Sequence, residues 1–236
     1  MRAVFRRPVV LVYHGVNEVE PRLDPRRLVV SPTHLAAHIR LLLRLGYRFA
    51  TADELARRGP AMPPPPGAAV LTFDDGFHDA LDVVLPLLRR FGIRATFYVC
   101  PGWFGTAHPE VHGDAARLLD EEAAAALVEA GMDLGSHTLT HPDVRSLADD
   151  RLAEELASSK AAVEAVSRRP CRTFAYPYGL YDARAERAVA EAGYELAFAW
   201  LPGPWRQFAA PRLPGPPRHG AVRLAFKLAG VRRRRG

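Results

Sequence analysis

Cysteine is scarce in this chain, and long hydrophobic runs are absent. Cys100 and Cys171 are the only two cysteines among 236 residues, which excludes a disulfide framework. Because Cys100 follows one predicted parallel strand and Cys171 precedes another, we expect two buried thiols at opposite ends of a sheet. No apolar run reaches about 18 residues, so the sequence also excludes a membrane-spanning helix.

Lysine is almost missing as well, since only Lys160 and Lys227 are lysines among 32 basic residues. The net charge is +6, and the excess of arginine indicates a bias of composition as much as a functional choice. Residues 231–236 contain an unbroken arginine run, which can contact nucleic acid or anionic lipid but is more often a solvated tail. We expect no nucleic-acid partner, and at most a weak contact of this tail with an anionic membrane.

The N-terminal residues are basic, but the apolar stretch that follows them is short. Val9–Val12 is too short for the core of a signal peptide, and no small-residue cleavage site accompanies it. The default expectation is therefore a cytoplasmic protein. Hydrophobic residues make up 48% of the chain and charged residues 25%, values that are typical of a globular domain.

Short apolar runs alternate with helical patterns along most of the chain. The runs predict buried strands at Val9–Tyr13, Ala68–Phe73, Ala95–Val99, Met132–Gly135, Thr173–Ala175 and Glu195–Ala199. Helices are predicted after the N-caps Ser31 and Thr51 and at Phe77–Phe91, Asp120–Ala130, Asp149–Ser167 and Asp182–Ala192. This alternation predicts an α/β fold of parallel strands, either closed into a barrel or left open.

We expect one domain over residues 1–236. Its core covers residues 9–200, an irregular wrap rich in proline and glycine covers 201–230, and a basic tail covers 231–236. The proline-rich stretch at residues 60–66 is expected to be a loop within the core, because neither side of it would form a core alone.

Polar residues follow several of the predicted strands, where parallel α/β proteins gather their functional groups. Asp74 and Asp75 end one strand, and adjacent carboxylates repel each other unless a proton or cation separates them. His137 and His141 follow another strand, and one aspartate with two histidines is an open ligand set for a divalent metal. The other aspartate is then free to act as a base, which indicates a metal-assisted hydrolase.

Each of these signals is weak alone, and the prediction of a functional site depends on their convergence. An Asp-Asp-Gly sequence is commonly a turn, and His34 and His38 repeat the four-residue spacing on a helix with no acid nearby. We interpret that second histidine pair as a solvated helix face. His14 and Tyr178, by contrast, also follow predicted strands, and this places four independent polar groups on one rim.

Three segments together resemble the first three motifs of the polysaccharide deacetylases, the NodB-homology group or carbohydrate esterase family 4. The segments are Thr72-Phe73-Asp74-Asp75-Gly76, Ser136-His137-Thr138-Leu139-Thr140-His141 and Phe174-Ala175-Tyr176-Pro177-Tyr178-Gly179. The resemblance runs in order over most of the chain, and it implies a distorted (β/α)7-type barrel. It also implies hydrolytic removal of N- or O-acetyl groups from a sugar in a polysaccharide or a glycan precursor.

The resemblance also implies roles for individual residues. Asp74 would be the general base, and Asp75, His137 and His141 would hold the metal, which is zinc or alternatively cobalt, nickel or iron. Tyr178 would offer its backbone N–H to the oxyanion, and Pro177, Tyr178 and Arg212 would contact the substrate. Metal-activated water would attack the acetyl carbon.

Two departures from the family pattern stand out. Family members often have an arginine, which orients the base, two residues before the Pro-Tyr pair, and Ala175 stands there; Arg172 and Arg212 are candidates to replace it. The C-terminal Leu-x-His motif that supplies the acid is also absent. His14, within Val12-Tyr13-His14-Gly15-Val16, resembles the acid of permuted exopolysaccharide deacetylases acting on poly-N-acetylglucosamine, and His219 is the alternative.

Two other functions remain open at this point. The same site could hydrolyse a non-sugar amide or a cyclic imide, for which the missing arginine leaves room. The chain could also be a non-catalytic glycan-binding homologue. Aromatic side chains predicted near the rim could stack on sugar rings: Trp103, Phe104, Tyr181, Trp200 and Trp205.

Overall fold

The structure, a computed structural model, describes residues 7–200, 203–216 and 221–233. Its centre is one parallel sheet whose strands are β1 (Val9–Tyr13), β2 (Arg48–Ala50), β3 (Ala68–Phe73), β4 (Thr96–Val99), β5 (Asp133–Ser136), β6 (Thr173–Ala175), β7 (Leu196–Ala199), β8 (Ala210–Pro211) and β9 (Leu213–Pro214). The sheet order is β8-β7-β6-β5-β4-β3-β1-β9, with β2 paired to the first half of β3.

Seven α-helices are described between and after these strands. They are α1 (Pro32–Arg44), α2 (Ala52–Arg58), α3 (Leu85–Phe91), α4 (Glu121–Glu129), α5 (Asp149–Ser167), α6 (Ala183–Glu191) and α7 (Ala221–Arg233). The predicted caps form, since Ser31 accepts from the backbone of His34 and Thr51 makes a complete capping box with Glu54. None of the helices in the described ranges is long and apolar enough to span a membrane.

The two ends of the sheet order are joined by a single extended stretch. β8 pairs with β7 and β9 pairs with β1, and only Arg212 separates β8 from β9. The backbone N–H of Arg212 donates to Ala199, and that of Gly215 donates to Val12. Residues 210–214 therefore form a seam that nearly closes the sheet, and the predicted distorted (β/α)7-type barrel is confirmed.

Successive strand residues divide between two hydrophobic clusters, as the alternation of side chains across a strand requires. In β3, Ala69 and Leu71 belong to the large cluster packed against the helices, whereas Val70 belongs to a smaller cluster. That smaller cluster also contains Leu55 of α2 and Tyr98 of β4. Alternation therefore places the smaller cluster on the inner face of the sheet, opposite the face that packs against the helices.

Several expectations need correction. Residues 201–230 are not an irregular wrap throughout, because they contain β8, β9 and the first part of α7. β2, β8 and β9 have two or three residues each, too few to produce a recognisable pattern. The predicted helix Phe77–Phe91 begins instead as a π-helical turn at Ala80–Val84 that leads into α3.

Two polar features of the core also bear on the predictions. His38 does not lie on a solvated face: it is fully buried, and its Nδ1 lies 3.1 Å from the hydroxyl of Tyr13. Cys100 and Cys171 are buried free thiols, as predicted. His219 and residues 234–236 lie outside the described residues, as do the side chains of 229–233.

Candidate active site

The three predicted ligands meet at the carboxyl end of the sheet. Asp75 follows β3, and His137 and His141 follow β5; one ligand atom from each lies within 4.8 Å of the other two. Nε2 of His137 and Nε2 of His141 lie 3.4 and 3.3 Å from Oδ1 of Asp75. None of the three side chains is more than 9% exposed. The spacing predicted from the sequence therefore converges on one buried cluster.

The hydrogen bonds of this cluster indicate which atoms are free to bind a cation. Nδ1 of His137 lies 2.7 Å from the carbonyl oxygen of Ala175, and because a carbonyl only accepts, Nδ1 carries the proton. Nε2 of the neutral ring then presents a lone pair to Asp75. Oδ1 of Asp75 is buried and accepts no hydrogen bond within the described part of the chain. These atoms fit a divalent metal held by Asp75, His137 and His141.

The electrostatics of the cluster favour negative charge on Asp75. Burial raises the pKa of Asp75, but the attraction of His14 and the contacts of His108, His137 and His141 hold this pKa well below its usual value. Burial lowers the pKa of His137, yet the charges of Asp74 and Asp75 outweigh burial and raise it. An ionised aspartate facing imidazole nitrogens is the charge arrangement that a cation site requires.

The backbone around the cluster adopts uncommon conformations. Of the six non-glycine residues with positive φ in the described ranges, four belong to this site: Asp75 (φ 71°), Thr138 (65°), His141 (60°) and Tyr178 (58°). Each of these conformations costs about 1–3 kcal/mol. Because such strain collects at functional sites, its concentration here is independent support for a functional role.

Glu155 of α5 holds the loop that carries the two histidine ligands. Its Oε2 accepts the backbone N–H groups of Leu139 (2.8 Å) and Thr140 (2.9 Å), and its Oε1 accepts the hydroxyl of Thr140 at 2.6 Å. The side chain is 2% exposed. The sequence did not mark Glu155 as a site residue, because one glutamate within an acidic helix gives no signal.

Asp74 is bound by an arginine that the motif itself lacks. Nη1 and Nη2 of Arg212 donate to Oδ1 and Oδ2 of Asp74, both at 2.7 Å, and the two side chains are 0% and 1% exposed. Nη1 also donates to Thr72, and the guanidinium lies 5.6 Å from the ring centroid of Tyr98. This bidentate pair fixes the plane of the Asp74 carboxylate, with Oδ2 3.9 Å from Nε2 of His137.

The choice between the two candidate arginines follows from their positions. Arg172 precedes β6 at the amino ends of the strands, where it pairs with Asp53 and Glu195. Arg212 lies in the seam, where its guanidinium reaches Asp74. The buried guanidinium of Arg212 contacts Asp74 and is not among the residues that line the cavity, so the predicted substrate contact of Arg212 stays a prediction. Pro177 is likewise buried and outside the cavity lining.

His14 follows β1 and faces the same cluster. Its Nε2 lies 4.0 Å from Oδ2 of Asp75, and its ring meets Trp200 edge-on with centroids 5.6 Å apart. Burial lowers the pKa of His14, although the charges of Asp75 and Asp74 oppose that effect. The structure therefore places His14 beside the predicted ligands, whereas the alternative, His219, lies outside the described residues.

The loop that carries His14 is anchored by a buried aspartate. Oδ2 of Asp79 accepts the backbone N–H of Val16 at 2.7 Å, while its Oδ1 is buried and has no hydrogen-bond partner among the described residues. Burial raises the pKa of Asp79 to about 7, the bond from Val16 opposes this rise, and the charge of Asp82 adds to it. Asp79 thus ties the loop after β1 to the chain that follows the Asp74-Asp75 pair.

An Asp79→Asn variant is expected to gain stability relative to the wild type as the pH rises from 5 to 8. The pKa of Asp79 is about 7 in the folded protein and near the ordinary aspartate value in the unfolded chain. The folded protein therefore loses stability as the pH rises between these two pKa values and Asp79 ionises. Asparagine is neutral throughout and still offers an oxygen to Val16. Urea unfolding at both pH values should show a relative gain of about 2 kcal/mol. A difference that does not change with pH would contradict this account.

His108 is a site residue that the sequence patterns did not reveal. Its Nε2 lies 3.3 Å from Oδ2 of Asp75, and the side chain is 3% exposed. It belongs to the long segment between β4 and α4, where no predicted strand precedes it, although His112 stands four positions after it. The spacing alone gives no signal of a site, because the fold brings His108 to the cluster while His112 stays exposed.

A cavity of about 280 Å³ opens onto these groups. Among its lining residues are His14, Asp74, His141, Tyr178 and Trp200. The side chain of Tyr178 is 46% exposed, and its ring lies edge-on to His141 with centroids 4.7 Å apart.

Two of the five aromatic residues predicted near the rim line this cavity, namely Trp103 and Trp200. Phe104 packs against the main core, and Tyr181 packs there too while stacking on Tyr176. Trp205 packs in the smaller cluster and donates to the carbonyl of Pro60. Only the two lining tryptophans, together with Tyr178, are therefore placed to contact a bound sugar ring.

The family is established by a direct match. A family model described as polysaccharide deacetylase matches residues 61–197, more than half of the chain, and the chain therefore belongs to the polysaccharide deacetylase family. The matched range contains Asp74, Asp75, His137, His141 and Tyr178. The resemblance inferred from the three sequence motifs is thus confirmed.

Named relatives agree with this assignment, and a solved structure shares the fold. The chain is 25% identical over 195 residues to YxkH of Bacillus subtilis (strain 168), whose name assigns it to the polysaccharide deacetylases, and it is 28% identical over 145 residues to the chitooligosaccharide deacetylase of Azorhizobium caulinodans. These matches cover 82% and 61% of this chain, but 64% and 62% of the relatives, so the chain spans less than two thirds of either. The Streptococcus pyogenes deacetylase PplD, solved with acetate, shares the fold with a TM-score of 0.79 at 23% identity, over 94% of this chain and 98% of that one.

Proposed function

We propose that the protein is a metal-dependent hydrolase that removes acetyl groups from an N-acetylated sugar, in a polysaccharide or a smaller glycan. The observation that carries this proposal is the cluster of Asp75, His137 and His141 beside Asp74 in one cavity, with Arg212 bound to Asp74. The names of two similar proteins, a chitooligosaccharide deacetylase and a deacetylase, support the reaction and the sugar class. An O-acetylated sugar is the alternative substrate at the same site.

The side chains divide the reaction among them. A divalent metal, when bound by the three ligands, would polarise the acetyl carbonyl and lower the pKa of a coordinated water. Asp74 would take a proton from the attacking water, and its two hydrogen bonds from Arg212 keep the carboxylate in one orientation. The backbone N–H of Tyr178 is our candidate donor to the developing oxyanion. His14 would then protonate the departing amine.

Zinc is the metal we expect first, because two imidazoles and one carboxylate form a three-ligand set that leaves a position for water. Cobalt, nickel and iron can use the same ligands. The cavity of about 280 Å³ lies near the lower limit of ligand pockets, about 300 Å³, and suits one sugar ring with its acetamido group. The tryptophans at its wall are suited to stack on that ring.

The two rival functions are less well supported. The case for a cyclic amide or imide substrate depended on a missing arginine beside the base, and Arg212 occupies that position. A non-catalytic glycan-binding role would not require a buried, strained and electrostatically tuned cluster. We retain both as outcomes of the experiment below.

The experiment that tests the proposal is acetate release by the purified protein loaded with zinc or cobalt. N-acetylglucosamine oligomers, an O-acetylated sugar and allantoin-like amides should be compared in parallel, with bound metal measured in each preparation. Acetate release from the N-acetylated oligomers, lost on chelation and restored by metal, is the expected result. Metal-loaded protein that releases no acetate from any acetylated glycan would contradict the proposal, and hydrolysis of the cyclic amides alone would favour that rival.

A His14→Gln variant is expected to lose activity in proportion to the basicity of the leaving group. An amine must be protonated as it departs, and a positioned acid contributes about 10²–10⁴-fold to such a step. A nitrophenolate departs without a proton, so hydrolysis of 4-nitrophenyl acetate should fall much less. Both rates should be measured at fixed metal content. His219→Gln should match the wild type; if it shows the selective loss instead, His219 is the acid.

A further inference from the structure

Asp75 offers two oxygens, and the structure surrounds them differently. Oδ1 faces His137 and His141 and accepts no hydrogen bond within the described ranges, whereas Oδ2 lies 3.3 Å from Nε2 of His108. His14 also faces Oδ2, but at 4.0 Å. The closest imidazole to Oδ2 is therefore one that the family motifs in this sequence do not include.

The proton on His108 can be placed from its second contact. Nδ1 of His108 lies 3.1 Å from the backbone nitrogen of Glu110, and a backbone amide can only donate. Nδ1 is therefore an acceptor, and the ring proton is on Nε2, which faces Asp75. His137 has the opposite tautomer, because its Nδ1 faces a carbonyl oxygen. One ring thus presents a lone pair toward Asp75 and the other presents an N–H.

Packing fixes the His108 ring in this orientation. The ring stacks on Phe77 with centroids 4.8 Å apart and an interplanar angle of 20°, and Trp103 meets it edge-on at 5.6 Å. The backbone N–H of His108 donates to Ala116 at 2.7 Å, which holds the segment itself. A ring that is held by two aromatic neighbours and through its backbone can direct a hydrogen bond at little entropic cost.

We propose that His108 is a positioning residue that donates from Nε2–H to Oδ2 of Asp75 and thereby reserves Oδ1 for the metal. It is not a fourth ligand, because the nitrogen that faces the site carries the proton. This inference rests on the proposed metal site and adds an outer contact to it. Partners that donate to or accept from metal ligands typically contribute about 10–100-fold to metal affinity.

The test compares three variants of the full chain by metal binding, without turnover. His108→Phe keeps the aromatic packing and removes the donor, whereas His108→Gln restores an N–H donor. His112→Phe is the matched control, since His112 is an exposed histidine of the same segment. Zinc affinity measured by competition with a chromogenic chelator should fall about 10–100-fold in His108→Phe, recover in part in His108→Gln and stay unchanged in His112→Phe.

The absorption spectrum of the cobalt-loaded protein separates an outer role from direct ligation. His108→Phe should retain the wild-type cobalt spectrum at saturating cobalt, because the ligand set is unchanged. A changed spectrum that indicates the loss of one nitrogen ligand would overturn the inference, as would an unchanged zinc affinity in a folded His108→Phe protein. If the wild type binds neither metal, the proposed metal-dependent function itself fails, which is a different result.

Discussion

Asp74→Asn is expected to reduce kcat/KM for amide hydrolysis by about 10²–10⁴-fold while the protein keeps its metal. Asparagine cannot take a proton from the attacking water, but it leaves Asp75, His137 and His141 in place. The measurement is steady-state acetate release together with metal content for wild type and variant. Because Asp74 is 1% exposed and paired, circular dichroism must show that the variant is folded.

The matched control for this loss is Asp150→Asn. Asp150 is an exposed aspartate in the first turn of α5, away from the cavity lining, and it should leave kcat/KM unchanged. If Asp74→Asn kept the wild-type rate on acetylated oligomers, Asp74 would not be the base. If the wild type were equally inactive while loaded with metal, the glycan-binding alternative would gain support.

Arg212→Met is expected to lower the free energy of unfolding by about 3–5 kcal/mol and to reduce activity as well. The substitution leaves the buried carboxylate of Asp74 without its partner, and breaking a buried ion pair on one side costs about that much. Urea unfolding at fixed pH and metal content measures the loss. The double variant Asp74→Asn with Arg212→Met should recover much of the stability, because it removes the uncompensated charge, but it should recover no activity.

Arg172→Met is the control for Arg212→Met, because it removes an arginine that does not contact Asp74. The side chain of Arg172 is 26% exposed and pairs with Asp53 and Glu195 at the opposite end of the strands. Exposed and partly exposed pairs contribute about 0–1 kcal/mol, so this variant should remain near the wild type in stability and in rate. A loss as large as that of Arg212→Met would contradict the roles assigned to the two arginines.

The parts of the fold and site that could be predicted from sequence are those encoded locally. The strands that precede Asp74 and His14 were predicted to the residue because each is a buried run of five or six apolar or β-branched residues. His137 and His141 could be paired because they are four positions apart in a single loop. For the same reason the helix caps at Ser31 and Thr51 were predicted correctly.

The parts that could not be predicted depend on contacts between distant segments. Arg212 stands 138 positions from Asp74, and the two-residue strands beside it carry prolines that suggest an irregular segment. His108 and Glu155 reach the site through packing of the segment after β4 and of α5. His38 was misjudged because its hydrogen bond to Tyr13, which makes burial favourable, spans 25 positions.

The seam of the barrel also separates the site residues along the chain. His14, Asp75, His137 and His141 all stand before the end of β7, whereas Arg212 belongs to residues 210–214, which lie between β7 and β1. A chain that has been synthesised only as far as β7 therefore contains every proposed metal ligand but lacks the arginine that orients Asp74. If the proposed metal binds at that stage, metal content alone does not report whether Asp74 has been oriented.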